Sequence, residues 1–445
     1  MSWNLLYALD LFAISHFAIS YYRNCYRKGY RIDFWQLQLF FVCVLPNMLM
    51  LPFARSEANA VVLFQDFGAV VAVLPDVFLI TLLGYFAMVA GGSLWRLRVG
   101  LGMRKTAMHF LELVPRCSIM LMSSRSLLVF YSLLCFSLQM LILGMYFAHD
   151  GFGFDLRGYT FANPTLRPVA LVISYSSVII ASHCFARYMD SKERVLLLCT
   201  LLLSFGLVFF GQRANILIIY FNVLMCILVK LRTRVNFFRI SAYAGIVLIF
   251  GLYLGSVRAG QYSLGDFFSV LAVLLFYGNN FSDLRDFAWV YAKWDHVFWA
   301  GKTYLAAITS FVPRFASEFR DAWAVGVKVD TTVGLDPTVH PGLRPGTFGE
   351  GFFNFGLLGV VAVGLLLGLA IRRVDLDVKQ AVAGPQPSIR RAFASTMLLG
   401  VVGNVAISGN FSGMYILGGI YLSSWLCLCV QRMVQLRNIT LADAD

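Results

Sequence analysis

Long apolar runs constrain this chain more than any other feature. Eleven stretches of about 17–25 residues are long enough to cross a bilayer. They lie at residues 3–22, 34–53, 67–91, 126–147, 168–186, 195–211, 213–229, 238–257, 352–371, 392–408 and 412–431. The sixth and seventh are nearly continuous and break at Gly211-Gln212-Arg213. In lipid, backbone N–H and C=O groups find no water, so each run must close its own hydrogen bonds as a helix. Composition agrees. Of 445 residues, 59% are hydrophobic and 13% charged, against about 45–50% and about 25% in soluble domains. A soluble enzyme and a disordered chain are both excluded. The expectation is an all-α polytopic membrane protein with about 11 transmembrane helices.

Charge sets the orientation. The net charge is +13, which invites a nucleic-acid reading. The positive-inside rule accounts for it better. Alternate connections are basic: Arg23 to Arg31, Arg96 to Arg125, Arg187 to Arg194, Lys230 to Arg239, Arg372 to Arg391 and the tail from Arg432. They hold 24 of the 36 Lys and Arg, and the opposite connections carry 12 against 13 Asp and Glu. The N-terminus is expected outside and the C-terminus inside, with no nucleic-acid partner. Met1 to Asn4 carry no basic residue, so the first run is expected to be a retained helix rather than a cleaved signal. Nine cysteines form no CxxC and no zinc spacing, and six histidines are scattered. No metal or other cofactor is expected.

Three regions follow: transmembrane helices over 1–257, a large outside loop over 258–351, and helices plus a tail over 352–445. The loop has no cysteine, so its order must come from packing rather than disulfides. Asp266 to Gly278 contains an apolar run too short to span, suited to the interface or to re-entry. Thr303 to Val312 reads as a helix ended by Pro313. Val325 to Thr347, punctuated by Gly and Pro, reads as irregular. No internal repeat is visible, which disfavours a transporter built from inverted repeats.

Long loops on rigid scaffolds are where sites tend to sit. This one carries Arg258, Arg285, Arg314, Arg320 and Arg344. Arginine grips phosphate and diphosphate with a forked geometry. Outside the membrane the phosphorylated substrate at hand is a lipid-linked one, such as a polyprenyl-diphosphate sugar. Arg213 opens the seventh run on the same side, where free N–H groups and the helix dipole favour an anion; a snorkelling interfacial arginine is the alternative. His340 is a candidate general base or a plain loop histidine. Glu350 is a candidate base or a favourable charge at a helix start. Asp283, beside Arg285 and Asp286, is placed to accept a proton or sugar hydroxyls, or else caps a helix. Trp289, Trp294, Trp299 and Trp323 are suited to sugar stacking or to anchoring at the interface. Asp10, Asp76, His16 and His183 fall inside helices, where ionisable groups are functional candidates, though no paired carboxylates suggest a proton relay.

Three elements then carry a resemblance. Gly211-Gln212-Arg213-Ala214-Asn215-Ile216 looks like the "G-x-R-A-N-I" element of Wzy-type polysaccharide polymerases. Gly301-Lys302-Thr303-Tyr304 to Phe311-Val312-Pro313-Arg314 resembles that family's "G-x-x-Y … F-[IV]-P-R". Phe348-Gly349-Glu350-Gly351-Phe352-Phe353-Asn354-Phe355-Gly356 resembles its "G-E-x-[YF]-x-N-F-G". The matches cover roughly 205–370, in order. Two features depart from the pattern. Ala316-Ser317-Glu318-Phe319-Arg320 stands where a "W-P-x-K-P" string is frequent, with Arg320 the candidate replacement for that lysine. An "R-x10-G" pattern is absent at Arg258, Arg314 and Arg344.

The resemblance implies a bacterial inner-membrane enzyme with one large periplasmic loop, similar to glycosyltransferases of the C-type (GT-C-like) membrane fold. It implies a periplasmic N-terminus, a cytoplasmic C-terminus and no metal. It implies undecaprenyl-diphosphate-linked oligosaccharides as substrates and a chain-length-regulating, Wzz-like co-polymerase as partner. An acceptor hydroxyl of the next repeat would attack the anomeric carbon of the growing chain, and the diphosphate would leave. Arginines preorganised around that leaving group lower the barrier by roughly 3 kcal/mol per contact, about 10²-fold in rate. Arg213, Arg258 and Arg314 are assigned to the diphosphate, Arg344 to the second lipid-linked substrate, and Glu350 or His340 to the base. The rivals are an O-antigen ligase, with the same donor but lipid A–core as acceptor, and a flippase for lipid-linked sugar.

Overall fold

The computed structural model describes residues 2–23, 33–94, 101–150, 156–163, 165–210, 213–231, 281–312, 316–337, 342–406 and 411–442, with isolated positions between 232 and 280. All regular structure among them is helical. In chain order the longer helices are α1 (Trp3–Tyr21), α2 (Phe34–Leu39), α3 (Phe67–Leu94), α4 (Leu101–Ser123), α5 (Arg125–Asp150), α6 (Leu166–Ser191), α7 (Arg194–Phe209) and α8 (Arg213–Leu231). There follow α9 (Asp283–Lys293), α10 (Lys302–Ile308), α11 (Glu318–Trp323), α12 (Val325–Val333), α13 (Gly346–Ala383), α14 (Ile389–Ala406) and α15 (Phe411–Ala442).

Six stretches are long and apolar enough to cross a membrane: Phe34–Ala54, Glu57–Leu94, Arg125–His149, Leu166–Ser191, Gly346–Ala383 and Gly413–Gln431. Each covers one expected run. The runs at 3–22, 195–211, 213–229 and 392–408 are helices too, though not among those six, and α7 and α8 meet at the expected break. The run at 238–257 lies largely outside the described residues.

Several local expectations are corrected. The basic connection from Arg96 to Arg125 contains a 23-residue helix, α4, with Glu112 and Arg116 paired one turn apart. Val325 to Thr347 is not irregular throughout, because Val325–Val333 is helical and stops at Gly334 in the left-handed region (φ 82). The helix begun at Lys302 ends at Ile308, short of Pro313.

The chain divides into two compact units. The first comprises Met1–Leu101, Leu231–Leu376 and Leu399–Ser412, so the long loop belongs with the N-terminal helices. Within it, α2 continues as a π-helix over Phe40–Met48 with Pro46 inside. Proline has no N–H to donate within it. The Asn47 side-chain amide donates to Cys43 O (3.2 Å) and to Val42 O (3.5 Å), so that its own polar group is satisfied inside the bundle. Helices α3 and α13 approach through glycine. A Cβ on Gly364 would meet Ala87 Cβ at 2.7 Å and Gly84 O at 2.8 Å, and one on Gly91 would meet Leu365 Cα at 2.9 Å. Small residues let membrane helices pack this closely.

Helix α13 is broken. Phe355 (φ −137, ψ 15) and Gly356 (φ 64, ψ −151) are non-helical. In a continuous helix Gly351 and Gly359 would stand about 12 Å apart along the axis. Here a Cβ on Gly351 would meet Gly359 O at 3.2 Å. The segment before the break therefore folds back on the segment after it.

The second unit comprises Gly102–Lys230, Asp377–Leu398 and Gly413–Asp445. Several of its interior polar groups join different segments. The Gln139 amide donates to Ser177 Oγ (2.9 Å). Arg187 donates to Met122 O (2.9 Å) and pairs with Glu193 (3.2 Å). Asp190 accepts the N–H groups of Ile389 and Arg390 (2.9 and 3.0 Å), which satisfies the first turn of α14.

Candidate functional site

The intramembrane histidines are occupied. His16 Nδ1 bonds the Tyr85 hydroxyl (2.8 Å). His183 Nε2 bonds Ser118 Oγ (2.9 Å), and its Nδ1 donates to Ile179 O (2.7 Å). Both join elements of the bundle. Chemistry is better sought where the long loop meets α13.

Two of the motif segments meet there. The break in α13 frees the carbonyls of the turn before it. Trp299 N–H donates to Phe353 O (2.8 Å) and Ala300 N–H to Asn354 O (3.1 Å). The chain then turns at Gly301 (φ 79) into α10. Thr303, on that helix, donates its hydroxyl to Glu350 Oε1 (2.7 Å). The Asn354 amide donates to Thr303 Oγ1 (2.8 Å) and Glu350 O (2.9 Å). All three side chains are buried. Tyr304 stacks parallel on Phe355, centroids 6.1 Å apart. Burial, and then the nearby Glu350 carboxylate, push the Tyr304 phenol well above its ordinary pKa.

A second cluster lies at the start of α9. Asp286 Oδ1 accepts from Arg285 Nε (3.1 Å) and Nη2 (3.0 Å). Asp286 Oδ2 accepts from Ser282 Oγ (2.7 Å) and Arg344 N–H (3.3 Å). Arg285 also donates to Tyr277 O (2.8 Å) and Asn59 Oδ1 (3.4 Å). Arg285 and Asp286 are 4% and 3% exposed, so this arginine joins chain segments instead of facing a ligand. The neighbouring cavity, of about 10 Å³, is sized for one water.

Arg344 is presented differently. Asp330 accepts the N–H of Leu343 (3.1 Å) while Asp286 accepts that of Arg344. Two carboxylates thus fix the backbone, and the guanidinium side chain stays exposed. Asp283, on the first turn of α9, is half-buried. Its carboxyl is pushed up to about 6, first by burial and then by the charge of Asp286, with Arg344 opposing. Gly346 (φ 69) lets the chain pass beside it, since a Cβ there would meet Asp283 Cβ at 3.3 Å.

The sequence-predicted residues therefore sort plainly. Glu350, Arg285, Asp283 and Arg344 lie in two clusters of one unit, joined through the Arg344–Glu350 stretch. Arg320 lies half-buried in α11. Arg213 begins α8 of the other unit, and its side chain is outside the described residues. Arg258, Arg314 and His340 are also outside them. Three of the four loop tryptophans are core residues: Trp289 donates to Asp66 (3.0 Å), Trp294 to Val297 O (2.9 Å), and Trp299 stacks on Phe353 (4.9 Å). Only Trp323 is partly open. Asp330, which holds the Arg344 loop, carries no motif and was not foreseen. Among the described residues no three His, Cys, Asp or Glu side chains converge on a metal position.

The fold and site define a class: an all-α polytopic membrane architecture with a folded, charge-bearing segment between two of its spans. Comparisons with family models, with curated proteins and with solved structures found no match to this chain.

Proposed function

We propose that the chain is a membrane-bound polysaccharide polymerase. It moves a growing glycan from undecaprenyl diphosphate to a hydroxyl of the next lipid-linked repeat, on the periplasmic face of a bacterial inner membrane. One observation carries the reading. The segments Gly301 to Tyr304 and Gly349 to Gly356, singled out by their resemblance to polymerase motifs, bind each other through Thr303, Glu350 and Asn354.

On this reading the enclosed Glu350 locks the motif segments together, and the base is Asp283. A carboxyl with a pKa of about 6 is suited to take a proton near neutral pH. Arg344, held by its backbone, meets the diphosphate or the second lipid-linked substrate with its charge already aimed. Arg258, Arg314 and Arg320 supply further positive charge along the glycan path, and His340 is the alternative base; Arg213, which opens α8 of the other unit, is by itself a candidate anion-binding arginine. An architecture of eleven spans with the N-terminus outside belongs to the same proposal, as does a chain-length-regulating partner.

The test is to incubate the purified chain with undecaprenyl-diphosphate-linked repeat units from its host and resolve the products on a gel. A ladder spaced by one repeat supports the polymerase. Transfer only after lipid A–core is added makes it a ligase. No product, with movement of lipid-linked sugar in proteoliposomes, makes it a transporter.

A further inference from the structure

Trp323 ends α11, and lysines from the helices on either side converge on its ring. Lys302 Nζ, at the start of α10, lies 4.5 Å from the ring centroid. Lys328 Nζ, on α12, lies 5.0 Å from it and 5.9 Å from the ring of buried Trp299. The two ammonium groups are therefore within about 10 Å of each other, each in cation–π range of one indole.

Among the described residues, neither lysine has a carboxylate partner. Lys293 and Arg285 do, each within 3.0 Å. Glu318 and Asp321 share the short helix with Trp323 and pair with neither lysine. An aromatic face attracts an ammonium without cancelling its charge. The indole thus holds two like charges close together and leaves both unneutralised. Two ammonium groups within this spacing are placed to donate to one phosphoryl group each of a single diphosphate.

We propose that Lys302, Lys328 and Trp323 form a diphosphate subsite, distinct from the Asp283–Arg344 cluster, that receives the diphosphate of a lipid-linked glycan. The glycan identity rests on the polymerase reading; the anion chemistry rests on the two lysines alone. Phosphoester headgroups of the bilayer share that chemistry, and the experiment separates them.

The full-length chain is placed in nanodiscs of zwitterionic lipid and titrated calorimetrically with inorganic diphosphate. Lys302→Gln and Lys328→Gln are each expected to weaken binding about tenfold, and the double variant more. Lys-to-Arg variants are expected to restore it, which controls for folding together with an unchanged Tm. Wild-type affinity in the double variant overturns the subsite. Loss of diphosphate binding on exchange into anionic nanodiscs overturns the substrate assignment in favour of bilayer headgroups. The polymerase reading is judged separately, by the ladder. Lysine-dependent binding without a ladder supports the subsite and removes the polymerase. A ladder from the double variant at wild-type rate and KM removes the subsite and keeps the polymerase.

Discussion

At the residue scale, Asp283 separates stability from activity by sign. Its folded pKa, about 6, is above the ordinary 3.8. The folded state therefore holds the proton more tightly than the unfolded chain does. Its contribution to stability is complete below the ordinary value and is lost as pH rises to about 6. Asp283→Asn should raise Tm at about pH 7.5 and change it little at about pH 4, read by thermal unfolding in detergent. Activity, if Asp283 is the base, should rise with pH over the same window. Arg344→Ala removes the charge that opposes this shift, so the acid limb of the rate profile should move to higher pH. An unmoved limb would dissociate Arg344 from Asp283. Arg314→Ala should lower polymer yield about 10²-fold while membrane insertion persists; normal chain lengths from that variant would remove Arg314 from the site.

At the element scale, the break in α13 is the decisive feature. Gly356 holds φ 64 and ψ −151, a region essentially confined to glycine. A Cβ there would also meet the Phe298 ring at 3.1 Å. Gly356→Ala should destabilise by about 1–3 kcal/mol and lower Tm. A variant with wild-type Tm would mean the turn is not locked. The same break frees the carbonyls that Trp299 and Ala300 bind, so activity should fall along with stability. Gly364→Leu should cost more, because the atoms facing that position are Ala87 Cβ and the backbone of α3, which cannot swing aside. Its expected readout is loss of folded protein on size exclusion.

At the scale of the whole molecule, charge asymmetry between connections makes a topological prediction. Of 36 Lys and Arg, 24 lie on one set of connections. A fluorescent protein fused after Asp445 should fold and fluoresce, and alkaline phosphatase at the same point should stay inactive. The reverse pattern would invert the proposed orientation and put the Asp283–Arg344 cluster on the cytoplasmic side.

The sequence by itself determined that the chain is helical and where most helices run. The apolar run is a local property, and lipid allows it one backbone solution. The Gly211-Gln212 break was marked as well, between α7 and α8, whereas the helix that ends at Gly334 was read as irregular. The clusters were legible only as residue types. Arg285 and Arg344 were singled out alike as phosphate-binding arginines, and Asp283 and Glu350 as carboxylates suited to accept a proton. Tertiary structure decided which of them is enclosed and which is presented. Arg285 lost its freedom to Asp286, a neighbour in sequence, and to Tyr277 O and Asn59, brought near by folding. Arg344 kept its freedom because Asp286 and Asp330 took its loop's backbone instead of its side chain. The fold-back at Phe355–Gly356 was hidden inside an apolar run, since hydropathy records burial and carries no sign of φ. Pairing between distant residues depends on which backbone groups are left unsatisfied, and that is known only once the chain has folded.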